Sequence, residues 1–164
     1  MEHGTPNIQR GASILLHDIR SVFNVGAIFR TADALGVEKI YLSGYSPTPL
    51  DRFGRVRKDF AKVSLGAEHT VKWEYVPDPY SLIDELKKMG VRVVIVEQDA
   101  RSSDYKKIAI ARPVLFIFGK EVEGVEPLMR EKADIIAEIP MRGGKESLNV
   151  AVAAGIVLFR HLDL

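Results

Sequence analysis

Short apolar runs alternating with stretches of helical period constrain this chain more than any other feature. Val91 to Val96 and Val114 to Phe118 are nearly continuous apolar runs, a pattern that requires cover on both faces of a sheet and so marks central parallel strands. Ser13 to Leu16, Lys39 to Ser43 and Ile135 to Ile139 read as further strands, and Val71, Trp73 and Tyr75 alternate with polar neighbours as a half-buried strand does. Between them, Phe23 to Leu35 ends at Gly36, and Tyr80 to Met89 ends at Gly90. These read as helices closed by a good breaker. Val125 to Lys132 reads as a short helix, Asn149 to His161 as the C-terminal one, and Gly44 to Asp51, with Pro47 and Pro49, as a loop. The expected fold class is α/β, a mostly parallel sheet flanked by helices.

Length and composition bound the function. With 164 residues, 46% hydrophobic and 27% charged, the chain fits one globular domain able to bury its own core. The expected division is an N-terminal tail over 1–11 and a single domain over 12–164. Zero cysteines exclude disulfides and thiolate chemistry and fit a reducing compartment. The polar stretch Met1 to Arg10 has no signal-peptide core, and no apolar run nears the roughly 20 residues of a membrane helix. A cytoplasmic protein without a membrane partner is expected. His3, His17, His69 and His161 are scattered without ligand spacing, so no metal is expected.

The C-terminal helix carries V-A-V-A-A-G-I-V-L-F, apolar all the way round. A helix of this kind needs cover on two sides. One side can be the chain's own sheet, and a second copy is expected on the other, as in a two-fold homodimer; the alternative is a helix sandwiched within one chain.

Three segments stand out from the scaffold: N-V-G-A-I-F-R-T-A at Asn24 to Ala32, F-G-K-E-V-E-G at Phe118 to Gly124, and I-P-M-R-G-G-K-E-S-L-N-V-A at Ile139 to Ala151. The second and third follow strands, where open α/β sheets hold their ligands. Gly119, Gly124, Gly143 and Gly144 would let backbone approach a ligand, although each alone reads equally as turn chemistry. Ser147 and Asn149 read first as helix caps. G-G-K-E-S at Gly143 to Ser147 is not a phosphate-binding P-loop, because its first glycine is missing and Glu146 stands in the Ser/Thr place. A separate strip, D-R-F-G-R-V-R-K-D-F-A-K at Asp51 to Lys62, interleaves Arg52, Arg55, Arg57, Lys58 and Lys62 with Phe53 and Phe60. Cations for phosphate and aromatics for bases suit RNA. A charge run reads equally as a solvated face. Arg142 and Lys145 could extend the same surface.

Taken together and in order, the three segments resemble the motifs of the SpoU (TrmH-like) family of RNA 2′-O-methyltransferases, within the SPOUT group. A-D-A-L-G-V at Ala32 to Val37 and K-V-S-L-G-A-E at Lys62 to Glu68 add to the likeness, which runs from about Ala12 to Phe159. The resemblance implies a C-terminal trefoil knot that cradles S-adenosylmethionine with backbone around Val96, Gly119, Ile139, Met141 and Leu148. It implies methyl transfer to a ribose 2′-hydroxyl of tRNA or rRNA, with Arg30, Asn24, Glu121, Ser147 and Asn149 as the catalytic set. Since an arginine pKa lies above about 12, Arg30 is expected to orient and stabilise charge rather than take a proton, with Glu121 as its partner if the two meet. In family dimers the site lies at the subunit interface. The alternative is a knotted module that binds RNA without methylating it. Many relatives carry an N-terminal RNA-binding domain, and its absence ahead of the first strand leads us to expect substrate selection by the domain itself, its dimer or a partner.

Overall fold

The computed structural model describes residues 11–162. Apart from Gly11, the expected N-terminal tail lies outside the described residues. The chain runs through β1 (Ala12–His17), α1 (Val22–Ala34), β2 (Lys39–Ser43), α2 (Lys58–Ser64), α3 (Ala67–Thr70), β3 (Lys72–Tyr75) and α4 (Pro79–Lys88). It continues through β4 (Arg92–Val96), β5 (Ser103–Asp104), a 3-10 turn at Tyr105–Lys107, β6 (Val114–Phe118), α5 (Pro127–Arg130), β7 (Ile135–Glu138) and α6 (Val150–Leu162).

The seven strands form one sheet in the order β3-β2-β1-β6-β4-β7-β5. Every pairing between them is parallel. All carboxyl ends therefore open on one edge, and the expected sheet is found. β4 and β6 are internal to the sheet, as their apolar runs require. Alternate side chains separate into two cores. Ile14, Leu16, Ile40, Val94 and Phe116 face α1, α2, α3 and α6, while Leu15, Val93, Ile95 and Ile117 face α4 and α5.

Local chemistry explains the helix boundaries. Ser21 caps α1 through its hydroxyl, which accepts from the Asn24 N–H at 3.2 Å. The chain leaves α1 through Gly36 at φ +66, a conformation that suits glycine. Asp78 caps α4 by accepting from the Tyr80 and Ser81 N–H groups.

Three expectations are corrected. Asp51 to Lys62 is not one exposed strip, because α2 begins at Lys58 and Phe60 is fully buried. The Phe60 ring meets Phe29 edge to face at 5.1 Å, so it is core and cannot receive a base. The helix expected over Val125 to Lys132 shortens to Pro127–Arg130, since Val125 is held outside it by an N–H donated to Glu97. β5 and α3, both very short, were not expected.

Candidate active site

Three segments that follow β4, β6 and β7 enclose a cavity of about 310 Å³. Val96, Glu97 and Gln98 line it from the first, Phe118 to Gly124 from the second, and Glu138, Ile139, Met141, Glu146, Ser147, Leu148, Val150 and Ala153 from the third. The volume lies within the usual range of small-molecule sites. The five residues expected to cradle a cofactor, Val96, Gly119, Ile139, Met141 and Leu148, all line it, as do Glu121 and Ser147.

The 119–124 loop has a defined shape. The Gly124 N–H donates to the Lys120 carbonyl at 3.0 Å, and the Val125 N–H donates to Glu97 Oε2 at 2.9 Å. Gly124 sits at φ +68, and a Cβ there would lie 1.9 Å from Glu97 Oε2, so the position needs glycine twice over. At Gly119 an added Cβ would meet Val125 at 2.7 Å. Gly143 and Gly144 differ, with open space around them and no backbone that demands glycine. The third segment is tied across the cavity by Gln98, whose amide donates to the Glu146 carbonyl at 2.7 Å.

At the cavity rim the first sequence segment joins the other two. Asn149 Nδ2 donates to Asn24 Oδ1 at 3.0 Å, and Asn24 Nδ2 donates to Glu121 Oε1 at 3.0 Å. Asn24 is buried, and both ends of its amide are used. Asn149 also caps α6, accepting from the Ala151 N–H at 2.8 Å, so the cap reading and the site reading both hold.

The cavity is acidic. Glu97, Glu121, Glu123, Glu138 and Glu146 line it against a single cation, Lys120. The Lys120 ammonium is itself drawn to Glu123 at 3.1 Å and Asp18 at 3.8 Å, with the hydrogen bond to Glu123 chiefly raising its pKa. Apolar walls at Ile139, Met141 and Leu148 with a carboxylate-rich rim suit a ligand that joins a flat apolar group to a positive charge.

Other expected residues lie elsewhere. Arg30 is exposed on α1 and does not line the cavity. Six residues after Asn24, it points about 240° round the helix from it. Within one chain Glu121 therefore meets Asn24, not Arg30. Arg52, Arg55 and Lys58 are exposed and Arg57 is half-buried. Arg55 pairs with Asp51 at 2.9 Å and Arg57 with Asp59 at 2.8 Å, so part of that charge is spent internally. Arg142 and Lys145 are exposed on the segment beside the cavity.

The sequence reading missed Glu97, Lys120 and a cluster at the end of β1. There His17 Nε2 lies 2.5 Å from Glu126 Oε1 and 3.5 Å from Asp18 Oδ2. The three residues place possible metal-ligand atoms within 4.8 Å of one another. Within the cluster the imidazole is bonded to Glu126, and the Lys120 ammonium lies 3.8 Å from Asp18. Glu126 is 109 residues from His17, so no local spacing announced the cluster.

Comparison with known proteins places this architecture. Residues 11–159 match the model of the SpoU rRNA methylase family. The chain belongs to that family. It is 36% identical over 146 residues to the 23S rRNA (guanosine-2′-O-)-methyltransferase RlmB of Nitrosomonas europaea, covering 89% of this chain and 54% of that one. It is 31% identical over 151 residues to the tRNA (guanosine(18)-2′-O)-methyltransferase of Aquifex aeolicus, covering 92% and 68%. The crystal structure of an AdoMet-bound rRNA methyltransferase from Sinorhizobium meliloti superposes with a TM-score of 0.82 at 29% identity, covering 94% of this chain and 56% of that one. The chain spans about half the length of several of the curated relatives it matches.

Proposed function

We propose that this chain is an S-adenosylmethionine-dependent methyltransferase that modifies a ribose 2′-hydroxyl in tRNA or rRNA. The observation that carries the reading is the Asn149–Asn24–Glu121 relay at the rim of an acid-lined cavity. Family membership and the 2′-O-methyltransferase names of the relatives support it. On this reading residues 12–164 form one SpoU-type domain.

The cavity's residues fit the donor. Ile139, Met141 and Leu148 would flank the adenine, and the carboxylates would favour the cationic end. When bound, the donor supplies an already activated methyl group, so the transfer needs no metal. The chain's own residues must align the ribose hydroxyl and manage its proton. Glu121, which accepts from Asn24, would take up that proton directly or through water. Ser147, on the cavity wall, and Asn149, bonded to Asn24, would orient ribose or donor. Arg52, Arg55, Arg57, Lys58, Arg142 and Lys145 would meet the RNA phosphates.

Two further features complete the reading. The C-terminal segment, which lines the same cavity as the 96–98 and 118–124 segments before α6 packs beside α1, would form the trefoil knot of the SPOUT group. A homodimer through α6 would cover Val152 and Phe159, which are 51% and 45% exposed. Val150 and Ala153 of the same helix line the cavity, so a second copy seated there would stand at its mouth. Arg30 would then act from the partner subunit, stabilising charge on the attacking oxygen. A cytoplasmic address belongs to the same reading. No helix among the described residues is long and apolar enough to cross a membrane.

The test is nucleoside mass spectrometry of total RNA from cells with and without the gene, repeated with Arg30→Ala. Loss of one 2′-O-methyl nucleoside is expected, with no restoration by the variant and donor affinity retained in calorimetry. An unchanged nucleoside pattern alongside RNA binding would return the chain to the non-catalytic alternative.

A further inference from the structure

The cavity occupies the half of the sheet's carboxyl edge formed by β4, β6 and β7. The half formed by β1 and β2 carries two large aromatic rings in solvent: Tyr45 is 70% exposed and Phe23 is 65% exposed. The Arg20 guanidinium lies over the Tyr45 ring, 5.0 Å from its centroid. Arg20 forms no ion pair among the described residues.

The exposure of Tyr45 does not come from a loose loop. Its N–H donates to Asp18 Oδ1 at 2.9 Å. The next residue, Ser46, is buried, accepts from the Ile19 N–H at 3.0 Å and donates to the Leu16 carbonyl at 2.8 Å. These bonds lock the Arg20 turn and the Tyr45 turn to each other, so ring and cation are presented together in a fixed place. Phe23 directly precedes Asn24, whose amide ends at Glu121 and Asn149 on the cavity rim. The two side chains diverge by about 100° round α1, Asn24 inward and Phe23 into solvent, so the base within reach of Phe23 is one flanking the nucleotide whose ribose meets Asn24.

We propose that Arg20, Phe23 and Tyr45 form a stacking platform for unpaired RNA nucleotides flanking the modified ribose. This rests on the methyltransferase reading above. Exposed aromatic faces take bases only where these are splayed out of a helix, because a duplex keeps its bases stacked inside. Arg20 adds cation–π support to the ring and positive charge for the passing phosphate. The platform selects substrates whose target lies in a loop, bulge or single strand. Tyrosine and arginine also suit a protein interface. Here the position beside Asn24, on the approach to the donor cavity, favours RNA.

The experiment measures binding of a short single-stranded oligouridylate and of an RNA duplex of equal length by fluorescence anisotropy. Tyr45→Leu and Phe23→Leu should each weaken single-strand binding about tenfold, the order of one lost base stack. Tyr45→Phe, which keeps the ring, should bind as wild type, and all variants should keep duplex binding and donor affinity. Unchanged single-strand affinity in both leucine variants, or equal loss on single strand and duplex, would overturn the platform. A change of mass in light scattering would reassign the surface to a protein and overturn it likewise. A wild type that methylates RNA while the leucine variants bind normally would remove the platform and leave the methyltransferase reading standing. Failure of the wild type to bind the single strand would remove the platform, while the methyltransferase reading stands or falls on the nucleoside measurement.

Discussion

His17, at the end of β1, meets Glu126 across 2.5 Å, joining residues 109 apart at the base of the loop that carries Glu121. A carboxylate only accepts, so the imidazole Nε2 carries the proton in this bond. Its Nδ1 meets the Ser43 hydroxyl at 2.8 Å, which fixes the ring from the other side. Asp18 reaches Lys120 at the opposite end of the same loop. Glu97 holds its last turn through the Val125 N–H. The loop that presents Glu121 to Asn24 is thus tied at both ends, and twice at the later one.

Cutting one tie should loosen the loop without unfolding the sheet. Glu126→Ala should lower stability by about 1 kcal/mol, allowing for the partial exposure of the carboxylate. It should also weaken donor binding. Glu126→Gln, which keeps an acceptor oxygen, should fall between it and wild type. Urea titration and calorimetry read the two effects. Equal donor affinity in all three proteins would show that the tie does not shape the cavity.

Asn24→Asp tests the relay at its centre. The substitution replaces the amide donor that Glu121 accepts from with a second carboxyl group at about the same place. Two carboxylates in a buried setting repel, so at neutral pH we expect a loss of about 1–3 kcal/mol together with loss of methyl transfer. Stability should partly recover on acidification as the pair takes up a proton. A variant with wild-type melting at neutral pH would argue that Asn24 and Glu121 do not hold each other in solution.

On α6, Val152 is half exposed and Ile156 partly so. If a second copy covers this face, Val152→Glu or Ile156→Glu should give monomer or aggregate by light scattering. Methyl transfer should fall with the mass, since Arg30 would lose its place at the neighbouring cavity. Unchanged mass and solubility would count against a dimer through this helix.

His161 makes stability depend on pH. Burial is the main cause that lowers its pKa below the usual histidine value, and its ring stacks on Phe116 at 6.3 Å. A depressed folded pKa means that the unfolded chain binds the proton more readily. Its contribution is therefore full above about pH 6.5 and is lost as pH falls through the lower folded value. The melting temperature should drop between pH 7 and pH 5, and His161→Phe should reduce that drop. An identical pH profile in the variant would place the effect elsewhere.

Much of the fold was legible because apolar period and burial agree. The runs at β4 and β6 are fully apolar because both faces of the sheet are covered, and α1 and α4 stop at glycines that leave the helix with positive φ. Phe60 was misread because charge surrounds it in sequence, although a helix turns it inward onto Phe29 while Arg57 and Asp59 pair outside. The cavity walls Val96, Gly119, Ile139, Met141 and Leu148 followed from the family likeness, not from local pattern. His17, Asp18 and Glu97 carried no signal, because their partners lie on distant segments and only the sheet order brings them together. Arg30 shows the converse case. Its motif is plain in the sequence, yet within one chain its side of α1 is not the side that meets the cavity.

The cavity is assembled from three separate stretches of chain, joined to one another through strand pairing and through the Gln98–Glu146 and Glu97–Val125 hydrogen bonds. A small molecule resting on all three acts as a removable staple. Saturated at a hundred times its dissociation constant, such a molecule adds about 2.7 kcal/mol to the folded state. The concentration of that molecule would then set how long these loops survive protease or heat as well as whether chemistry occurs.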